Sequence, residues 1–206
     1  MHKKDIVYAG ERPEKANKAI ILLHGRGASA ENILTLAEHL HLPGFAVMAP
    51  RASQNTWYPY SFLYPESENQ PWLDSALDLL ASIEDEIYAH GLKSTDLYFS
   101  GFSQGACLSL EYTARHAKQY GGVIAFTGGL IGHTVNQEKY KGDFQQTPVY
   151  IGTSDPDPHI PVDRVRDSEA VFKNMNARTT VEIYPGIGHT IVEEEIRKVN
   201  AVFFEH

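Results

Sequence analysis

Six short runs rich in β-branched and aromatic residues, at 19–23, 45–49, 96–100, 123–127, 149–152 and 181–184, alternate with longer segments whose apolar residues recur at helical spacing, at 30–40, 73–89, 104–118, 162–176 and 191–204. This alternation constrains the chain more than any other feature. Parallel strands cannot be joined by tight turns; they need crossover connections, and the crossovers bury the sheet on both sides. The pattern therefore predicts an α/β protein: a mainly parallel central sheet with helices on both faces. At 206 residues, one domain spanning 1–206 is the expectation.

Two irregular stretches interrupt the alternation. Residues 50–71 hold several prolines together with Tyr58, Tyr60, Phe62 and Tyr64, whereas 128–148 is polar. Exposing that many aromatic rings to water is unfavourable, so the first stretch reads as a loop packed on its own domain or as a wall of a cleft. Trp57, Tyr58 and Phe62 are candidates to line such a pocket.

The chemistry is concentrated where the strand 96–100 gives way to the helical segment 104–118. Gly101-Phe102-Ser103-Gln104-Gly105 fits G-x-S-x-G, a pattern that chance alone supplies in about one chain in fifteen of this length. Its position between a strand and a helix carries the weight. A sharp turn there strains the serine backbone, and the flanking glycines let strand and helix approach closely. The serine oxygen is then held above the sheet at the positive end of a helix.

A serine hydroxyl is a weak nucleophile, so Ser103 requires a base and a third group to fix the base's tautomer. In folds of this kind they follow in the order serine, acid, histidine. Of ten histidines, only His189 and His206 lie beyond the last predicted strand, and His206 is the terminal residue. His189, flanked by glycine in Gly186-Ile187-Gly188-His189, is the expected base. The acid should follow the penultimate strand, where Gly152-Thr153-Ser154-Asp155-Pro156-Asp157-Pro158-His159 offers both Asp155 and Asp157. Spacing does not separate them. Asp163 is a weaker third candidate, and His159 reads as a packed or solvated loop residue. Charge developing on a substrate oxygen needs preorganised N–H donors. The backbone N–H groups of Gln104 and of Arg26, in Leu23-His24-Gly25-Arg26-Gly27, are the expected pair.

Taken together, Leu23-His24-Gly25-Arg26-Gly27, Gly101-Phe102-Ser103-Gln104-Gly105-Ala106, Asp157-Pro158-His159-Ile160-Pro161 and Gly188-His189 resemble the phospholipase/carboxylesterase family, which includes the acyl-protein thioesterases. The resemblance implies an α/β-hydrolase fold without a large lid. It aligns the acid with Asp157 and implies that Arg26 and Gln104 form the oxyanion hole. Arg26 stands where thioesterase members usually carry a hydrophobic residue, and Thr56-Trp57-Tyr58-Pro59-Tyr60 is similar to a bacterial subgroup of small esterases. The expected activity is hydrolysis of small to medium carboxylic esters or thioesters. A serine peptidase and a non-catalytic ligand-binding protein on the same scaffold are the rival readings.

A net charge of -8, with no stripe of Lys and Arg, disfavours nucleic acid and anionic membrane surfaces as partners. No His or Cys cluster has metal-ligand spacing and no dinucleotide fingerprint is present, so neither a metal nor an organic cofactor is expected. A single cysteine, Cys107, expected to pack on a helix, and a charged rather than apolar N-terminal stretch point to the cytoplasm. The sequence leaves monomer and homodimer equally open.

Overall fold

The computed structural model describes residues 1–205; His206 lies outside the described residues. Seven strands form one sheet: β1 (Ile6–Gly10), β2 (Lys18–Leu23), β3 (Phe45–Pro50), β4 (Leu97–Phe102), β5 (Gly122–Phe126), β6 (Pro148–Asp155) and β7 (Arg178–Pro185). Their order is β1-β3-β2-β4-β5-β6-β7, with β1 antiparallel to β3 and all other neighbours parallel. Among the described residues five helices lie between the strands, α1 (Ala30–Ala37), the single turn α2 (Glu66–Asn69), α3 (Trp72–Ala89), α4 (Gln104–Arg115) and α5 (Val162–Asn174), and a sixth, α6 (Glu193–Phe203), follows β7.

The period-two geometry of a strand sends alternate side chains to opposite faces, and β2 shows why both faces must be covered. Ala19, Ile21 and Leu23 join one buried cluster with Leu80, Leu108, Val165 and Phe172 from α3, α4 and α5. Ile20 and Leu22 join a second with Ile33 and Leu36 from α1 and Val199 and Phe203 from α6. The result is a three-layer α/β-hydrolase architecture, helices on each face of a mainly parallel sheet, with no large lid. Among the described residues no helix is long and apolar enough to cross a membrane.

The sequence reading missed β1. Its side chains are only partly buried, and Tyr8 is 48% exposed, because an antiparallel edge strand needs to bury little of itself. The polar appearance of 128–148 is also incomplete: Leu130, Ile131, Tyr140 and Phe144 are buried within it.

Candidate active site

Strand β4 runs to Phe102 and helix α4 starts at Gln104, so Ser103 alone makes the corner. Its φ of 54° and ψ of -118° are strained for a residue with a side chain. The corner is possible only because the residues two before and two after it, Gly101 and Gly105, lack side chains. A Cβ on Gly105 would stand 2.0 Å from the carbonyl oxygen of Leu23, and one on Gly101 would stand 2.5 Å from the backbone of Gly105. The Ser103 N–H donates to the Phe126 carbonyl at 3.0 Å, which fastens the corner to β5.

The loops after β6 and β7 meet above this corner. Gly186 N–H donates to the Asp155 carbonyl at 2.9 Å and Gly188 N–H to Ser154 Oγ at 3.1 Å, so the two loops are tied before either side chain is considered. His189 Nε2 lies 2.8 Å from Ser103 Oγ, and His189 Nδ1 lies 2.8 Å from Asp157 Oδ2. A carboxylate only accepts, so Nδ1 carries the proton and Nε2 presents its lone pair to the serine hydroxyl. Such a chain can take up the hydroxyl proton as the oxygen attacks an electrophile. Burial pushes the Asp157 carboxyl upward, but the N–H groups of His159 (2.7 Å) and Ile160 (2.8 Å) on Oδ1, together with His189, outweigh it and hold the group below the usual range. Asp155 is exposed, and its main-chain oxygen, not its carboxylate, faces the histidine loop.

The His189 ring is flanked by Phe102 at 5.0 Å and, edge-on, by His159 at 4.8 Å between centroids. His159 is thus not a bystander: its backbone holds Asp157 and its ring abuts His189. Sequence offered no signal for this beyond its closeness to the acid.

Arg26 and Gln104 reach the same loop, and their side chains share Thr56 Oγ1. Both side chains hold residues 56–60. Arg26 donates to Thr56 Oγ1 (3.0 Å), the Pro59 carbonyl (2.8 Å) and the Tyr60 carbonyl (2.6 Å). Gln104 Oε1 accepts from Trp57 N–H at 2.9 Å and its Nε2 donates to the Tyr58 carbonyl at 2.8 Å. Their own backbone N–H groups are committed to no protein acceptor among the described residues. Behind them lies buried His24, whose imidazole burial pushes below its ordinary value. It accepts Ala52 N–H on Nε2 at 3.2 Å and so donates from Nδ1 to the Gly25 carbonyl at 2.8 Å, a neutral strut under the glycine loop.

These elements enclose a cleft of about 620 Å³ lined by Tyr58, Phe62, Cys107 and Ile160 on its apolar side and by Arg26, Ser103, Gln104, His159 and His189 on its polar side. Burial pushes the Cys107 thiol up to about 12, so it lines the cleft as an apolar group. Trp57, expected to line the pocket, does not. It is fully buried, with its indole N–H on the His24 carbonyl at 2.9 Å, because a buried indole must satisfy its donor. No group of three or more His, Cys, Asp and Glu side chains able to hold a metal ion occurs among the described residues.

Fold and site together define an α/β-hydrolase. The model of the phospholipase/carboxylesterase family matches residues 3–204, and the chain belongs to that family; it is a carboxylic ester hydrolase. A phospholipase/carboxylesterase of Dyadobacter fermentans superposes with a TM-score of 0.97 at 50% identity, covering 99% of this chain and 98% of that one. A Bacillus cereus carboxylesterase shares the fold at a TM-score of 0.80 and 17% identity, covering 97% of this chain and 93% of that one. Acyl-protein thioesterase 1 of Debaryomyces hansenii is 26% identical over 92% of this chain and 90% of its own length.

Proposed function

We propose that the protein hydrolyses small to medium carboxylic esters, and thioesters of similar size, by two-step acyl transfer from Ser103. His189 takes the Ser103 proton as Oγ attacks the carbonyl carbon, and then gives that proton to the departing alcohol or thiol. Asp157 fixes the His189 tautomer and stabilises the imidazolium. Water, deprotonated by His189, then attacks the acyl-enzyme; as the bond to Ser103 Oγ breaks, His189 returns that proton to the serine oxygen and the carboxylic acid leaves. The N–H groups of Arg26 and Gln104 receive the negative oxygen of each tetrahedral intermediate, helped by the positive end of α4.

The observation that carries this reading is the unbroken Ser103–His189–Asp157 chain, 2.8 Å at each link. A cleft of about 620 Å³ walled by Tyr58 and Phe62 suits a small or medium ester, and the thioesterase name of the Debaryomyces relative supports including thioesters.

The test is turnover of p-nitrophenyl esters of graded acyl length by wild type and Ser103→Ala, followed by mass spectrometry after a fluorophosphonate probe. The expected result is turnover of the shorter esters that vanishes in the variant, with one adduct, on Ser103. Absence of both turnover and adduct would overturn the proposal.

A further inference from the structure

The protein has 26 acidic against 18 basic residues, yet no Asp or Glu side chain lines the cleft. Its lining holds one permanently charged group, the guanidinium of Arg26. Among the described residues that group makes no ion pair; its three hydrogen bonds all go to neutral oxygens of residues 56, 59 and 60. Both Nη1 protons are used, and one of the two on Nη2. A guanidinium offers five N–H donors in a rigid plane, so Nε–H and the second Nη2 proton remain. Arginine donors of this kind pair well with carboxylate oxygens. The loop therefore fixes the cation through three of its donors and leaves two, on an exposed side chain, with no protein acceptor among the described residues. Behind the Phe62 wall, Arg164 adds a second cation whose side-chain hydrogen bonds go only to the carbonyls of Leu130, Gly132 and His133.

From this charge arrangement we infer that the cleft selects esters bearing a carboxylate over neutral esters of the same shape, with Arg26 reading the charge. The inference rests on the hydrolase reading above and adds a substrate class to it. Arg26 acts here on substrate through its side chain, separately from its backbone N–H.

The test compares kcat/KM within two matched pairs at about pH 8. One pair carries the charge on the acyl side, p-nitrophenyl hydrogen adipate against p-nitrophenyl 6-methylheptanoate. The other carries it on the leaving group, 3-acetoxybenzoate against 3-isopropylphenyl acetate. The anionic member of at least one pair should be favoured about tenfold at low salt, a preference that shrinks in about 0.5 M NaCl. Arg26→Met should abolish the preference and Arg26→Lys restore part of it. A merely structural Arg26 would lower both members of a pair equally and leave their ratio unchanged, which would overturn the inference. A wild-type ratio of one or less in both pairs overturns it while leaving the hydrolase reading intact. Failure to hydrolyse any of the four esters removes both. Should Arg26→Met not fold, the salt dependence of the wild-type ratio decides: a ratio indifferent to salt speaks against the inference.

Discussion

Arg26 and Gln104 grip the same five-residue loop and share Thr56 Oγ1 within it, the guanidinium holding Thr56, Pro59 and Tyr60 and the carboxamide Thr56, Trp57 and Tyr58. The two residues proposed to donate backbone N–H groups to the substrate oxygen thus also hold the loop that carries the cleft wall. Gln104→Leu keeps the backbone donor and most of the volume but leaves the buried Trp57 N–H without an acceptor and the Tyr58 carbonyl with the Thr56 hydroxyl alone. Each stranded buried group costs about 1–3 kcal/mol. The variant should unfold at lower urea and lose about tenfold in kcat/KM, mainly through KM, since a loosened wall impairs binding more than the chemical step. Kinetics and urea melts on the purified variant check this; a normal KM combined with a lowered kcat would instead locate the side chain's influence at the oxyanion donors.

Asp157 and Asp155 stand two residues apart, yet only Asp157 reaches His189, at 2.8 Å, while Asp155 is exposed. Asp157→Ala should cost on the order of a thousandfold in kcat, as expected when an imidazole loses the partner that sets its tautomer. Asp155→Ala should cost less than about threefold, since its carboxylate meets solvent. Comparing both on one activated ester is sufficient, and a crippled Asp155 variant would reverse the assignment.

At Ser103 the backbone strain and the proposed chemistry oppose each other. A φ of 54° with ψ of -118° is tolerated readily only by glycine. Ser103→Ala and Ser103→Gly should both be inactive, but the glycine variant should be the more stable by about 1 kcal/mol, because relief of strain exceeds the extra chain entropy. Chemical denaturation of the two variants measures the difference; equal stabilities would mean that the corner is not strained.

Where the chain's own pattern is local, the sequence was readable. Strands β2 to β6 are largely buried apolar runs because inner parallel strands are covered on both faces, whereas β7, the parallel edge, is only partly buried. The serine corner announces itself because Gly101, Ser103 and Gly105 must be adjacent to make it. Relationships across the chain left no such trace. Edge strand β1 hides its few contacts behind partly exposed side chains. Nothing in the sequence distinguishes Trp57, buried against His24, from Tyr58, which lines the cleft, since both are aromatic neighbours and only the packing decides. The grip of Arg26 and Gln104 joins residues 30 to 48 positions away, beyond any spacing rule.

Glu195 provides the pH-dependent prediction. Its carboxyl is 1% exposed beneath β6, against Gly152, where an added Cβ would lie 1.9 Å from Oε1. Its partners are distant, Val192 N–H at 3.4 Å and the Tyr150 hydroxyl at 3.5 Å, and no cation pairs with it among the described residues. Burial therefore prevails over both hydrogen bonds and pushes the group up to about 7. In the unfolded chain it titrates near ~4.3. Between those values the folded state keeps a proton that the unfolded state has released, so stability falls as pH rises through this window and levels off above it. The loss amounts to roughly 4 kcal/mol across the window. Asp157, held below its ordinary value, acts in the opposite sense, its contribution disappearing only as pH falls into the acid range. Glu195→Gln preserves shape and neutrality but cannot ionise. It should lie within about 1 kcal/mol of wild type at about pH 5 and exceed it at about pH 8 by up to roughly 4 kcal/mol. Urea unfolding at the two pH values measures this directly, and parallel pH dependence in the two proteins would mean that Glu195 is already ionised in the fold.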